Sequence, residues 1–226
     1  TSSAMIAYLM EWDWEKSEKE FLKALAINPS QAGTRVFYAH LLCILQRYDE
    51  ALPQTQLALE LDPLNPNMKL WASFVLMAVG DFKSALELGE EVAAADPNYY
   101  MAYSVIENAA YYYKDYKRVM EASKHLLAWQ VDFKEVDRIF GENGFVAANE
   151  EILRQLELIA QNGFVAPVGI AQRYVLVDQA DKAMEWLEKG FEVRDPNMPY
   201  ISSQGSLFDP LFDHPGFIEI IQKMNL

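Results

Sequence analysis

The chain has 226 residues, 51% of them apolar and 23% charged, with 19 basic side chains against 33 acidic ones. A net charge of −14 opposes phosphate backbones and anionic lipid, which argues against nucleic-acid or membrane-surface binding and in favour of a partner with basic character. The single cysteine, Cys43, excludes an internal disulfide and a cysteine metal cluster, and it suits a reducing, cytoplasmic location while leaving a periplasmic one open.

In chain order, Thr1 opens the sequence without an initiator methionine, and only 13 residues precede Trp14. That is too short for a complete first helix of the pattern that follows, so the expectation is a piece of a longer polypeptide, starting inside a repeat. The pattern itself is a period of 34 residues. It spaces Pro29, Pro63 and Pro97, the aromatic residues Trp14, Tyr48, Phe82 and Tyr116, and the small residues Ser17, Ala51 and Ala85. Each unit is predicted to be two antiparallel helices. Unit two has helices over Ala32–Gln46 and Asp49–Leu61, and unit three over Asn67–Val79 and Phe82–Ala95. Unit four has them over Tyr99–Tyr113 and Asp115–Trp129. Prolines close the earlier units because they cannot donate to a helix ladder and restrict the residue before them. Asp49 and Asp81 are placed to cap second helices, and the small residues stand where the two helices of a unit cross.

Residues 1–130 resemble tetratricopeptide repeats. The match departs from the family pattern at Arg35 and Lys69, where a tryptophan is usual, and at Glu107, where a small residue is usual. Residues 131–165 lose the period and read as a divergent helical pair, Val131–Phe140 and Ala147–Gln161, parted by Gly141-Glu142-Asn143-Gly144. Residues 166–200 read as a last unit, with helices over Val168–Val177 and Asp181–Val193, whose register slips by one residue before Pro196. Residues 201–226 form a tail with a closing helix, in which Pro215 suits the first turn and Asp213 or His214 the cap. With Trp12-Asp13-Trp14 and the tail Phe208-Asp209-Pro210-Leu211-Phe212, the chain resembles the C-terminal repeat region of bacterial multidomain regulators. The implied fold is all-α, a right-handed superhelix (α-solenoid) of about twelve helices with a C-terminal capping helix.

The resemblance places first helices on a concave surface and implies a binding groove of Val36, His40, Cys43, Leu70, Phe74, Met77, Ser104, Asn108 and Tyr111. This set is mostly apolar, so the carboxylate clamp of co-chaperone members is not expected. Leu70 and Phe74, as groove residues, are expected to be exposed. His40 and Cys43 stand three apart on one helix, yet no orienting group or oxyanion motif accompanies them, and packing is the favoured reading. The three histidines lack metal-ligand spacing, and no phosphate loop, nucleophile elbow or zinc helix occurs. The expectation is therefore a non-enzymatic regulatory interaction module, without cofactor or metal. It would take a peptide or an adjoining domain, and the alternative is a small-molecule sensor for an effector domain. The tyrosine-rich stretch from Tyr99 to Tyr116 is expected to be about half core and half exposed.

Overall fold

A computed structural model describes residues 1–203 and 205–226. Among these residues it is helical throughout, with twelve α-helices, one π-helix and two short 3-10 turns, and no strand. Helix α1 (Ser2–Ile6) runs on as a π-helix (Ala7–Glu11) and pairs with α2 (Trp14–Ile27). Three regular pairs follow: α3 (Ala32–Ile44) with α4 (Tyr48–Leu61), α5 (Pro66–Ala78) with α6 (Phe82–Ala95), and α7 (Tyr100–Tyr112) with α8 (Tyr116–Leu127). Then come α9 (Phe133–Ala160), the pair α10 (Pro167–Leu176) and α11 (Ala180–Val193), and α12 (Pro215–Lys223). Each pair stacks on its neighbour, which makes the architecture an α-solenoid.

The repeat period has a physical counterpart at the turn between the helices of each of the first four pairs. Trp12, Gln46, Gly80 and Lys114, again 34 apart, all adopt the left-handed conformation, with φ of 56°, 58°, 83° and 57°. At the three later positions the next residue donates its N–H back to the carbonyl five residues earlier, over 2.8 to 3.0 Å, which is the bond that ends a helix and reverses the chain. That same next residue caps the second helix. Asp13, Asp81 and Asp115 accept the N–H of Lys16, Ser84 and Arg118. In unit two the cap position is Arg47, so Asp49 lies inside the first turn of α4 and does not cap it.

Ser17, Ala51 and Ala85 are completely buried where helices cross, and Gly89 lets α6 approach α7, with a Cβ there meeting Val105 Cγ1 at 3.2 Å. Two features of the divergent half differ from the expected outline. Residues 141–143 are helical, and the break in α9 falls at Gly144 alone (φ 86°, ψ −170°), a conformation open essentially to glycine. The register slip before Pro196 is the left-handed Arg194 (φ 52°) at the end of α11, where α2, α4 and α6 end in non-left-handed residues at Asn28, Asp62 and Asp96.

The two ends of the solenoid meet. The Trp14 indole N–H donates to the Met224 carbonyl at 2.8 Å, and Trp12 packs on Phe191 with ring centroids 5.2 Å apart. The Arg194 guanidinium lies over the Trp12 ring and donates to the carbonyls of Met10 and Glu11 at 2.8 and 3.3 Å, the free carbonyls at the end of the π-helix. The helices thus form a closed ring, and α12 joins last unit to first where a cap on the last unit alone was expected.

Candidate functional site

The stretch after α11 runs along the concave side of the ring. Tyr200 reaches Tyr8 of the π-helix (3.4 Å between hydroxyls) and sets its ring edge-on to His40 at 5.8 Å. Further on, Gly205 (φ 72°) lies so near α5 that a Cβ there would stand 2.4 Å from the Met77 carbonyl oxygen. Gln172 donates to the Ser206 carbonyl at 3.3 Å, and the Tyr112 hydroxyl donates to Asp209 at 2.8 Å. Met198, Ile201, Leu207, Phe208 and Leu211 are buried in the main core. Much of the concave surface is therefore already covered by the chain's own segment.

What remains open is a cavity of about 700 Å³. Six of the nine residues expected in the groove line it: His40, Cys43, Phe74, Met77, Ser104 and Asn108. Three do not. Val36 packs with Ala32, Ala58 and Met68, and Leu70 with Ala85, Val92 and Ala102, both fully buried between helices. Tyr111 turns outward from the cavity against Tyr116 and Phe145. The expected exposure of Leu70 is corrected accordingly, and Phe74 is half-buried.

Aromatic side chains dominate one wall. Phe37, Trp71 and Phe74 contact one another in series, with centroids 5.2 and 5.8 Å apart. His40 belongs to the same cluster, and its Nε2 meets the Trp71 carbonyl at 2.9 Å. Burial lowers the His40 pKa to about 4 and raises the Cys43 thiol to about 12. The imidazole is thus neutral, with one nitrogen engaged by backbone, and the thiol stays protonated. Such a pair has no activated nucleophile.

The opposite wall carries a buried polar network. Arg173 of α10 is paired with Glu107 of α7, and it also donates to Ser123 of α8 and Asn149 of α9, each at 3.1 Å. Ser123 donates to Glu107 as well. The four helices α7 to α10 are tied at one point. Glu107 is the residue that departs from the small-residue slot of the repeat, and its partner comes from 66 positions later. That departure was the signal in the sequence; nothing in the sequence identified Arg173.

Three aromatic residues on the lining are also strongly exposed and mark the mouth: Tyr100 at 64%, Trp129 at 79% and Phe164 at 76%. Trp129 sits just beyond the end of α8, as the last residue of the helix predicted for unit four, and Phe164 lies beyond the end of α9, where the period is lost. Among the described residues no His, Cys, Asp and Glu cluster could hold a metal, and no helix is long and apolar enough to cross a membrane.

No protein-family profile and no curated protein sequence matches the chain. Solved structures do match, 26 chains in all. PilW, described as a widely conserved type IV pilus biogenesis factor, is 16% identical, with a TM-score of 0.53 over 98% of this chain and 95% of its own. MamA is 14% identical, with a TM-score of 0.47 over 82% of this chain and 95% of its own. Yeast Tom70 is 15% identical, with a TM-score of 0.46 over 92% of this chain and 46% of its own. The likeness to PilW extends over nearly the whole chain and is one of fold, the tetratricopeptide-type α-solenoid.

Proposed function

We propose that this chain is a non-catalytic interaction module of a regulatory protein, and that it docks a protein partner on the aromatic rim around the cavity mouth. The observation that carries this reading is the exposure of Tyr100, Trp129 and Phe164 together at one opening. Exposed tryptophan and aromatic neighbours are the side chains that dominate binding energy at protein interfaces, since they offer large area at small entropic cost. The net charge of −14 favours a partner with basic residues beside its apolar contact. His40 and Met77 are buried, with Tyr200 and Gly205 of the chain's own tail against them, which supports docking at the rim over docking along the concave wall. The wider setting, a bacterial signalling or transcription-regulating protein, is part of the same proposal and rests on the sequence resemblance, while a cytoplasmic location is proposed from the lone Cys43.

Affinity capture with wild-type protein and with the double variant Trp129→Asp/Phe164→Asp tests the reading. Both positions are largely exposed, so the variant is expected to melt as wild type does. A partner retained by wild type, released by raised salt and lost with the variant is the expected result. Equal retention of the same partner by the variant refutes docking at the rim.

A further inference from the structure

Behind the rim, the interior of the cavity has the attributes of a small-molecule site. Its volume of about 700 Å³ falls in the range of pockets that enclose small ligands, roughly 300 to 1,000 Å³. One wall is the Phe37–Trp71–Phe74 cluster, which presents ring faces and edges to the space. The charged residues of the lining are Arg173 and Glu107, and they are paired with each other, so the wall carries no uncompensated charge. A charged ligand would lose its hydration there without gaining a counter-ion.

Hydrogen-bonding capacity is nevertheless present. Asn108 lines the cavity half-buried, and its side-chain amide has no hydrogen-bond partner among the described residues. An amide supplies both donor and acceptor. A further feature concerns volume. Gly169 stands exposed in the first turn of α10, among the residues that line the cavity, and a Cβ built on it meets no atom within 4 Å. Glycine inside a helix costs about 1 kcal/mol relative to alanine, and no neighbouring side chain or backbone forces it here. Its presence leaves the lining without a side chain at this exposed position.

We infer that the cavity binds an uncharged, largely apolar small molecule with an aromatic or bulky hydrocarbon body and a neutral hydrogen-bonding group. The body lies against Trp71 and Phe74, and the polar group meets Asn108. This site stands behind the docking rim, and its existence does not depend on a partner binding there.

The two fluorophores N-phenyl-1-naphthylamine and 1-anilinonaphthalene-8-sulfonate share one skeleton and differ by an anionic sulfonate, which makes them a direct test with the purified 226-residue chain. The neutral dye is expected to bind saturably, one per chain, and at least about tenfold more tightly than the anionic dye. Gly169→Leu adds bulk to the lining at an exposed position and replaces a helical glycine, so it is expected to weaken the neutral dye at least about tenfold while the melting temperature holds or rises. Asn108→Ala is expected to weaken it several-fold. The inference is overturned by any of three results: no saturable binding of the neutral dye, binding of the anionic dye as tight or tighter, or unchanged binding by a folded Gly169→Leu variant.

Discussion

Arg173 shows how a single residue governs this half of the molecule. Arg173 is 5% exposed and its partner Glu107 7%, so removing either leaves a buried charge without a counter-ion. Arg173→Met is expected to lower unfolding free energy by about 3–5 kcal/mol, whereas Glu107→Met/Arg173→Met, with neither charge left, recovers most of that loss. Urea unfolding of the two variants measures the difference. At His40 the sign of the pH effect follows from a folded pKa near 4 against an ordinary value of 6.5. Between those values the unfolded chain takes up a proton that the folded chain excludes. The contribution to stability is therefore full above pH 6.5 and is lost as pH falls toward 4. Relative to His40→Gln, the wild type should lose stability across that window in pH-dependent urea unfolding. An equal slope in both proteins would contradict the assignment. Residue-scale legibility was uneven. Glu107 stood out because it violated the repeat, while Phe164 lies outside the period with no register to be read against and Trp129, at the very end of unit four, occupies no marked position of the repeat. Val36 and Leu70 share a helix with true cavity residues but face the next helix, a difference of angle that spacing alone does not resolve.

Elements were more legible, because proline, small-residue and aromatic positions each have a local physical cause. Their helices appear within a few residues of the predicted limits, and the αL turn that recurs with the same period was the feature hidden by varied side chains. Of the four turn positions only Gly80 is glycine. Lys114 is exposed and held at φ 57°, a conformation that disfavours any side chain with a Cβ. Lys114→Gly should stabilise the chain by up to about 1 kcal/mol, measured by thermal or urea unfolding. The reverse applies at Gly205, where a Cβ would collide with the Met77 carbonyl. Gly205→Ala should displace Gly205 and the residues that follow it from α5 and lower the melting temperature, and a variant as stable as wild type would show that this close approach is absent. The divergent half was harder to read because its helices are fixed by contacts between distant residues and not by a repeating local code.

At the scale of the whole molecule, ring closure is what distinguishes this chain from an open solenoid. Contacts between residues more than 180 positions apart, Trp14 with Met224 and Arg194 with Met10, join the ends. No local pattern encodes such pairings. Deleting residues 214–226 removes Phe217, Ile220 and Met224 from the main core and the acceptor of the Trp14 indole. Loss of a single cooperative melting transition is expected, together with binding of apolar dye to the exposed surface. The central claim is that residues 198–203 and 205–212 of the chain pack along the concave surface, which is what favours the proposed docking at the rim. Native-state hydrogen exchange tests it most directly. The amides of Ile201, Ser203, Ser206 and Leu211, each bonded to a carbonyl within the segment, should exchange as slowly as those of buried α3. Exchange of these four amides at the rate of unprotected chain, while α3 stays protected, would contradict it.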